Sequence, residues 1–156
     1  MNAHPHKAGD IYLVHNGIIE NYKELKAGLK RHTFVSKTDS EVVAALINSF
    51  YAKDTPLIDA VSNALKKVVG TYGIAVVSTR QPGELVVARM GSPLIIGVGE
   101  DETIIASDAS ALIGHTSQAI YLNDGEMAIC RRDGVELQDL NHHTVETNIE
   151  TIEADA

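Results

Sequence analysis

The sequence predicts an α+β fold with mainly antiparallel sheets, and three patterns predict it. In the first half, apolar residues recur at helical spacing in three separate runs. From Thr71 onward the pattern changes to seven short strand-like runs: TYGIAVVS, ELVVARM, PLIIGVG, ETIIASD, QAIYLN, EMAICRR and GVELQD. Turn residues separate these runs, and Asn123-Asp124-Gly125 and Asp133-Gly134 read as hairpin turns, which make neighbouring strands antiparallel. Helices would then cover one face of a sheet, and a second sheet the other.

Met1 to Asp10 reads as an irregular entry, because Pro5 and Gly9 disfavour a helix and no apolar period runs through it. Residues 11–16, IYLVHN, form an apolar strand that runs into Asn16-Gly17. The residues after Gly17 do not alternate. Ile18, Tyr22, Leu25 and Leu29 recur at steps of four, three and four, and Asn21 with Glu24 reads as N-cap and N3, so Asn16-Gly17 is a strand-to-helix loop. Thr33-Phe34-Val35 reads as a small strand, and Thr38 with Glu41 as a capping box opening a second helix with Val43, Leu46, Ile47 and Phe50 on its buried face. Asp39 falls at the first position of that helix, where the dipole alone favours an acid. Thr55-Pro56 starts a third helix with the stripe Leu57, Val61, Ala64, Leu65 and Val68. In the strand-rich half, Ser107 to Ile113 forms one short helix capped by Ser107 or Asp108. Gly114-His115-Thr116 is a loop, Arg89 and Ser92 flank a Gly-Ser-Pro turn, and Cys130 is a small buried hydrophobe within an alternating strand.

With 156 residues and 44% hydrophobic content the chain has the length and core of one domain. Its net charge of −8 is spread over short acidic patches, which excludes nucleic acid and an anionic membrane surface as partners, since both call for clustered Lys and Arg. One cysteine leaves no internal disulfide, and neither a signal peptide nor an apolar run of eighteen is present, so a cytoplasmic location is expected. His4 and His6 form an HxH pair with His142 and His143 as distant partners, but no carboxylate or cysteine is locally arranged to complete a metal site. They read as loop histidines, and neither metal nor cofactor is expected.

Two donors can converge at the strand-to-helix loop: the carboxamide of Asn16 and the backbone N–H of Gly17. That is an oxyanion hole in outline, although Asn-Gly is also simply good turn material. The string VHNGIIENY at 14–22, with NAHPH at 2–6, TDSEVVAALI at 38–47, GSPLIIGVGE at 91–100, IIASD at 104–108 and YLNDGE at 121–126, resembles a known family. It is similar to the N-terminal-nucleophile (type 2) glutamine amidotransferase domain of the glutamine–fructose-6-phosphate aminotransferases. The resemblance implies a four-layer αββα sandwich. It implies that Asn16 and Gly17 stabilise the oxyanion formed from glutamine, and that Asp39 holds the glutamine amino group. It implies too that ammonia passes to a sugar-phosphate domain to make glucosamine 6-phosphate. The region of Arg89 and Ser92 supports the glutamine pocket in that family.

Two parts of the family pattern have no counterpart here. There is no cysteine near the N-terminus to act as nucleophile, and no Arg-Trp-Ala-Thr-His-Gly segment precedes NAHPH. Over residues 1–156 the expectation is therefore an incomplete αββα sandwich, a partial amidotransferase domain without the sugar-isomerising domains. By itself it would have no useful glutaminase activity. A strand lost from a sheet exposes backbone and apolar side chains, so marginal stability or a homo-oligomer is expected. The alternative from another class is a degenerate module that binds glutamine or glutamate, or docks on a protein. An autonomous hydrolase lacks a nucleophile elbow with a paired base.

Overall fold

A turn at Gly9-Asp10 folds the start of the chain back on itself, joining β1 (His6–Ala8) to β2 (Ile11–Asn16) as an antiparallel hairpin. The computed structural model describes residues 5–100 and 102–152. The irregular entry expected over 1–10 is thus corrected at its described end. Three residues are too few to show a period in sequence; pairing with Leu13, Tyr12 and Ile11 is what makes them a strand.

All seven strand-like runs of the second half form strands: β3 (Tyr72–Ser78), β4 (Leu85–Met90), β5 (Ile95–Gly99), β6 (Glu102–Ala106), β7 (Gln118–Tyr121), β8 (Glu126–Arg131) and β9 (Gly134–Asp139). Two short pairings complete the set, β10 (Thr144–Val145) and β11 (Glu150–Thr151). The larger sheet runs β1-β2-β3-β4-β8-β9-β10 and the smaller β11-β7-β5-β6, with every strand pair antiparallel. The hairpin expected at Asp133-Gly134 forms between β8 and β9, with Arg132 and Asp133 in the turn and Gly134 already paired with Arg131. Asn123-Asp124-Gly125 is not a hairpin. It carries the chain from β7 in one sheet to β8 in the other, a distinction that local turn chemistry does not encode.

Three helices cover one face of the larger sheet: α1 (Tyr22–Gly28), α2 (Asp39–Ser49) and α3 (Leu57–Leu65). α2 is buried almost all round, Val42 to Ile47 included, because α1, α3, β1 and β2 surround it. The N-cap of α3 is Pro56, one residue later than Thr55. Residues alternate strictly across the larger sheet. Ile11, Leu13, Ile74, Val76, Val86, Ala88 and Met127 face the helices, while Val87, Ala128 and Cys130 share a cluster with Ile96 and Ile120 of the second sheet and with Leu94 and Leu122 next to its strands. Each fully buried aliphatic side chain contributes about 1.5–3 kcal/mol.

The result is an α+β sandwich of helices, sheet and sheet. Beyond the second sheet lies only one 3-10 turn (Ala109–Leu112) among the described residues, capped by Asp108 and packing Leu112 on Ile95 and Ala119. Because four strands face seven, the inner face of β2 and β3 is left partly uncovered, with Val14 41% and Val77 42% exposed. β6 is a free edge beside that gap.

Candidate active site

β2 ends at Asn16, and Gly17 then takes φ 132°, a conformation essentially confined to glycine. A Cβ at Gly17 would collide with the Thr71 carbonyl oxygen. The close approach arises because residues 18–20 zip onto 69–71. The Thr71 N–H donates to Ile18 O (2.8 Å), the Ile18 N–H to Thr71 Oγ1 (3.1 Å) and the Glu20 N–H to Val69 O (2.8 Å). Gly70 packs equally tightly, with φ 136° and Ile18 O occupying the space a Cβ would need. The turn is therefore a clamped strand-to-helix connection.

Two details of the expected helix differ. Ile18 is 69% exposed and Ile19 is buried, since the bridge to Gly70 rather than a helical face orients this segment. Asn21 stands at the N-cap of α1, but its side chain makes no cap bond. It donates to Lys67 O (2.8 Å) and accepts from the Val69 N–H (3.0 Å), fastening α1 to the loop after α3.

α2 begins at Asp39, with Thr38 as its N-cap accepting from the Glu41 N–H at 3.3 Å. Half of the capping box forms. The carboxylate of Glu41, only 1% exposed, reaches back further than the box requires and accepts from the N–H groups of Val35 and Ser36, the Ser36 hydroxyl and His32 Nε2. Burial alone would push this carboxyl up; the bonds from His32, Ser36 and Val35 outweigh it and bring it down to about 2. The small strand expected at Thr33-Phe34-Val35 does not form, because Glu41 takes the Val35 and Ser36 backbone donors. Asp39 in turn accepts the Ile19 N–H on Oδ2 at 3.0 Å, tying the helix start to the far side of the Asn16-Gly17 turn.

A cleft of about 560 Å³ opens between the sheets at this end. Asn16, His15, Val14 and Ser40 line one side, Ile105, Ala106, Ser107 and Ala111 the other. Gly17 and Asp39 flank it, next in sequence to Asn16 and Ser40. Among the described residues no hydrogen bond takes up the Asn16 carboxamide or the Gly17 N–H. Sequence alone assigns no role at this site to two histidines beside α2: His15, whose Nδ1 is 3.0 Å from Ser40 Oγ, and His6, whose Nδ1 is 3.4 Å from Thr38 Oγ1. Burial lowers the pKa of His15, with Asp39 opposing. The signal available for His15 and Ser40 was position alone, one residue before Asn16 and one after Asp39.

The remaining candidates lie elsewhere. Arg89 shares a cross-strand row with Asn16 and Gly73 but turns to Leu122 O and Asp124, outside the cleft lining. Cys130 is 3% exposed in the inter-sheet core, where burial pushes its thiol up to about 12. A hollow of about 810 Å³ around His115 and Glu100 contains none of the site residues. His142 meets Ser62, Gln138 and Asp59, and His143 meets Asp139, far from His6 in the topology. His4 lies outside the described residues. Among the described residues no group of three or more His, Cys, Asp and Glu is placed to hold a metal, and no helix is long and apolar enough to cross a membrane.

Comparison with known proteins gives this arrangement a context. A family model described as "Glutamine amidotransferase domain" matches residues 3–114. The glutamine–fructose-6-phosphate aminotransferase of Chlorobaculum tepidum is 53% identical over 138 residues, covering 85% of this chain and 22% of the relative. That of Methanothermobacter thermautotrophicus is 48% identical over 156 residues, covering 97% and 26%. The chain thus spans about a quarter of the length of the curated relatives it matches. Among solved structures, the glutamine phosphoribosylpyrophosphate amidotransferase from B. subtilis superposes with a TM-score of 0.72 at 26% identity, covering 92% of this chain and 32% of that one. The family match spans most of the chain and takes in Asn16, Gly17 and Asp39: the chain belongs to the glutamine amidotransferase domain family.

Proposed function

We propose that this chain is the glutamine-binding part of a glutamine–fructose-6-phosphate aminotransferase, which takes ammonia from glutamine to make glucosamine 6-phosphate. The observation that carries the reading is the pair of donors without a hydrogen-bond partner among the described residues, the Asn16 carboxamide of the cleft lining and the Gly17 N–H next to it in sequence, on a turn fastened through Ile19 to Asp39. Asp39 spends Oδ2 on the Ile19 N–H, which leaves Oδ1 for the α-ammonium of glutamine. The side-chain amide then lies toward Asn16. When a cysteine thiolate attacks the amide carbon, its carbonyl oxygen becomes an oxyanion that Asn16 and Gly17 receive. The C–N bond breaks as the nitrogen is protonated, ammonia leaves for the sugar-phosphate domain of the parent enzyme, and water releases glutamate from the thioester. No residue of this chain supplies that thiolate: Cys130 is buried and far too weakly acidic. The chain alone is therefore inactive in this reading, and its partners are glutamine and the sugar-phosphate domain.

The test is a chimera in which this chain replaces the matching 138 residues of the Chlorobaculum tepidum enzyme. We expect glutamine-dependent glutamate release, with Asn16→Ala lowering kcat by roughly a hundredfold or more. An inactive chimera, together with glutamine binding by the short chain at physiological concentration in calorimetry, would make the chain a binding module instead.

A further inference from the structure

His15 occupies an unusual junction. It is the residue before Asn16, its ring lies between β2 and the start of α2, and its two nitrogens meet different elements: Nδ1 is 3.0 Å from Ser40 Oγ and Nε2 is 3.5 Å from Thr71 O. Thr71 O can only accept, so Nε2 carries the proton and Nδ1 is left to accept from the Ser40 hydroxyl. Ser40 is 8% exposed and adjoins Asp39. Thr71 is the residue whose carbonyl crowds Gly17 and whose side chain holds Ile18. On the other side of the turn, Ile19 donates to Asp39. The Asn16-Gly17 turn is thus pinned to the first two residues of α2 on both flanks, by His15 to Ser40 before it and by Ile19 to Asp39 after it.

We propose that His15 and Ser40 are positioning residues of the amidotransferase site, a clasp that fixes the oxyanion turn against the helix bearing Asp39. The proposal rests on the function proposed above. The imidazole transfers no proton to substrate; it acts through the backbone of Asn16 and Gly17. Loss of the clasp therefore affects the transition state, where the two donors must meet the oxyanion, more than it affects ground-state binding through Asp39.

Two measurements test it. In the chimera, Ser40→Ala is expected to lower kcat for glutamine hydrolysis by roughly ten- to a hundredfold with KM changed less than about threefold, and Ser40→Thr, which keeps the hydroxyl, to restore most of it. Wild-type kcat in Ser40→Ala, or equal loss in Ser40→Thr, would overturn the proposal. In the chain itself, nitrogen-15 spectra of the histidine rings are expected to show His15 as the Nε2–H tautomer, and Ser40→Ala to shift the amide signals of Asn16 and Gly17. An Nδ1–H tautomer, or unmoved signals, would overturn the clasp even if the chimera proved inactive. An inactive wild-type chimera beside the expected spectra would instead remove the functional reading and leave the clasp standing.

Discussion

Glu41→Gln isolates how much one buried carboxylate contributes to holding the loop in front of Asp39. The carboxylate accepts from two backbone N–H groups, a hydroxyl and a histidine while almost fully out of water. Its pKa falls from 4.5 to about 2; at about 1.4 kcal/mol for each pH unit of that difference, ionised Glu41 contributes about 3 kcal/mol. The folded value lies below the unfolded one, so the contribution is complete above about pH 4.5 and is lost as pH falls toward about 2. A glutamine has the same shape but only one acceptor oxygen, and its amide group confronts donors. We expect Glu41→Gln to lose about 2–3 kcal/mol at pH 7, a drop of roughly 1–2 M in urea midpoint with the slope unchanged. The gap between the two proteins should close below about pH 4. A variant as stable as wild type at pH 7, or a gap that stays constant from about pH 5 to about pH 2, would refute the assignment.

The same geometry yields three further expectations. Gly17→Ala is strained by its φ and blocked by the Thr71 carbonyl, so it should cost at least about 1–3 kcal/mol in urea unfolding and abolish chimera activity, whereas Gly134→Ala, with open space around it, should cost little. Cys130, buried with its thiol at about 12, should resist a thiol-reactive disulfide reagent at pH 8 in the folded chain and react fully in urea. The exposed inner face of β2 and β3 should drive self-association, so Val14→Lys should shift light scattering toward monomer while leaving the urea midpoint nearly unchanged.

Much of the fold was legible because it depends on short-range pattern. The three helices and eight of the strands arise from apolar period and turn residues, and Asp39 falls where its Thr38 cap places it. What was not legible depends on partners distant in sequence. β1 exists only because β2 pairs with it. Thr33-Phe34-Val35 has strand composition, but Glu41 holds it as a loop. Ile18 and Ile19 exchange roles because Gly70, far along the chain, fixes the segment. The same holds at the site. Asn16, Gly17 and Asp39 were indicated by residue type and by family resemblance, while His15 and Ser40 emerge only when β2 is set against α2.

The most direct test of the proposed glutamine site asks whether Asp39 reads the α-ammonium. The measurement is kcat/KM of the chimera for glutamine against glutaric acid monoamide, which has the same side-chain amide and carboxylate but no amino group. If Asp39 holds the ammonium, wild type should favour glutamine strongly and Asp39→Ala should reduce that preference by at least roughly thirtyfold, the lower end of removing one partner of a desolvated charge pair. An unchanged preference in Asp39→Ala would contradict the assignment, and would leave Asp39 only its bond to Ile19.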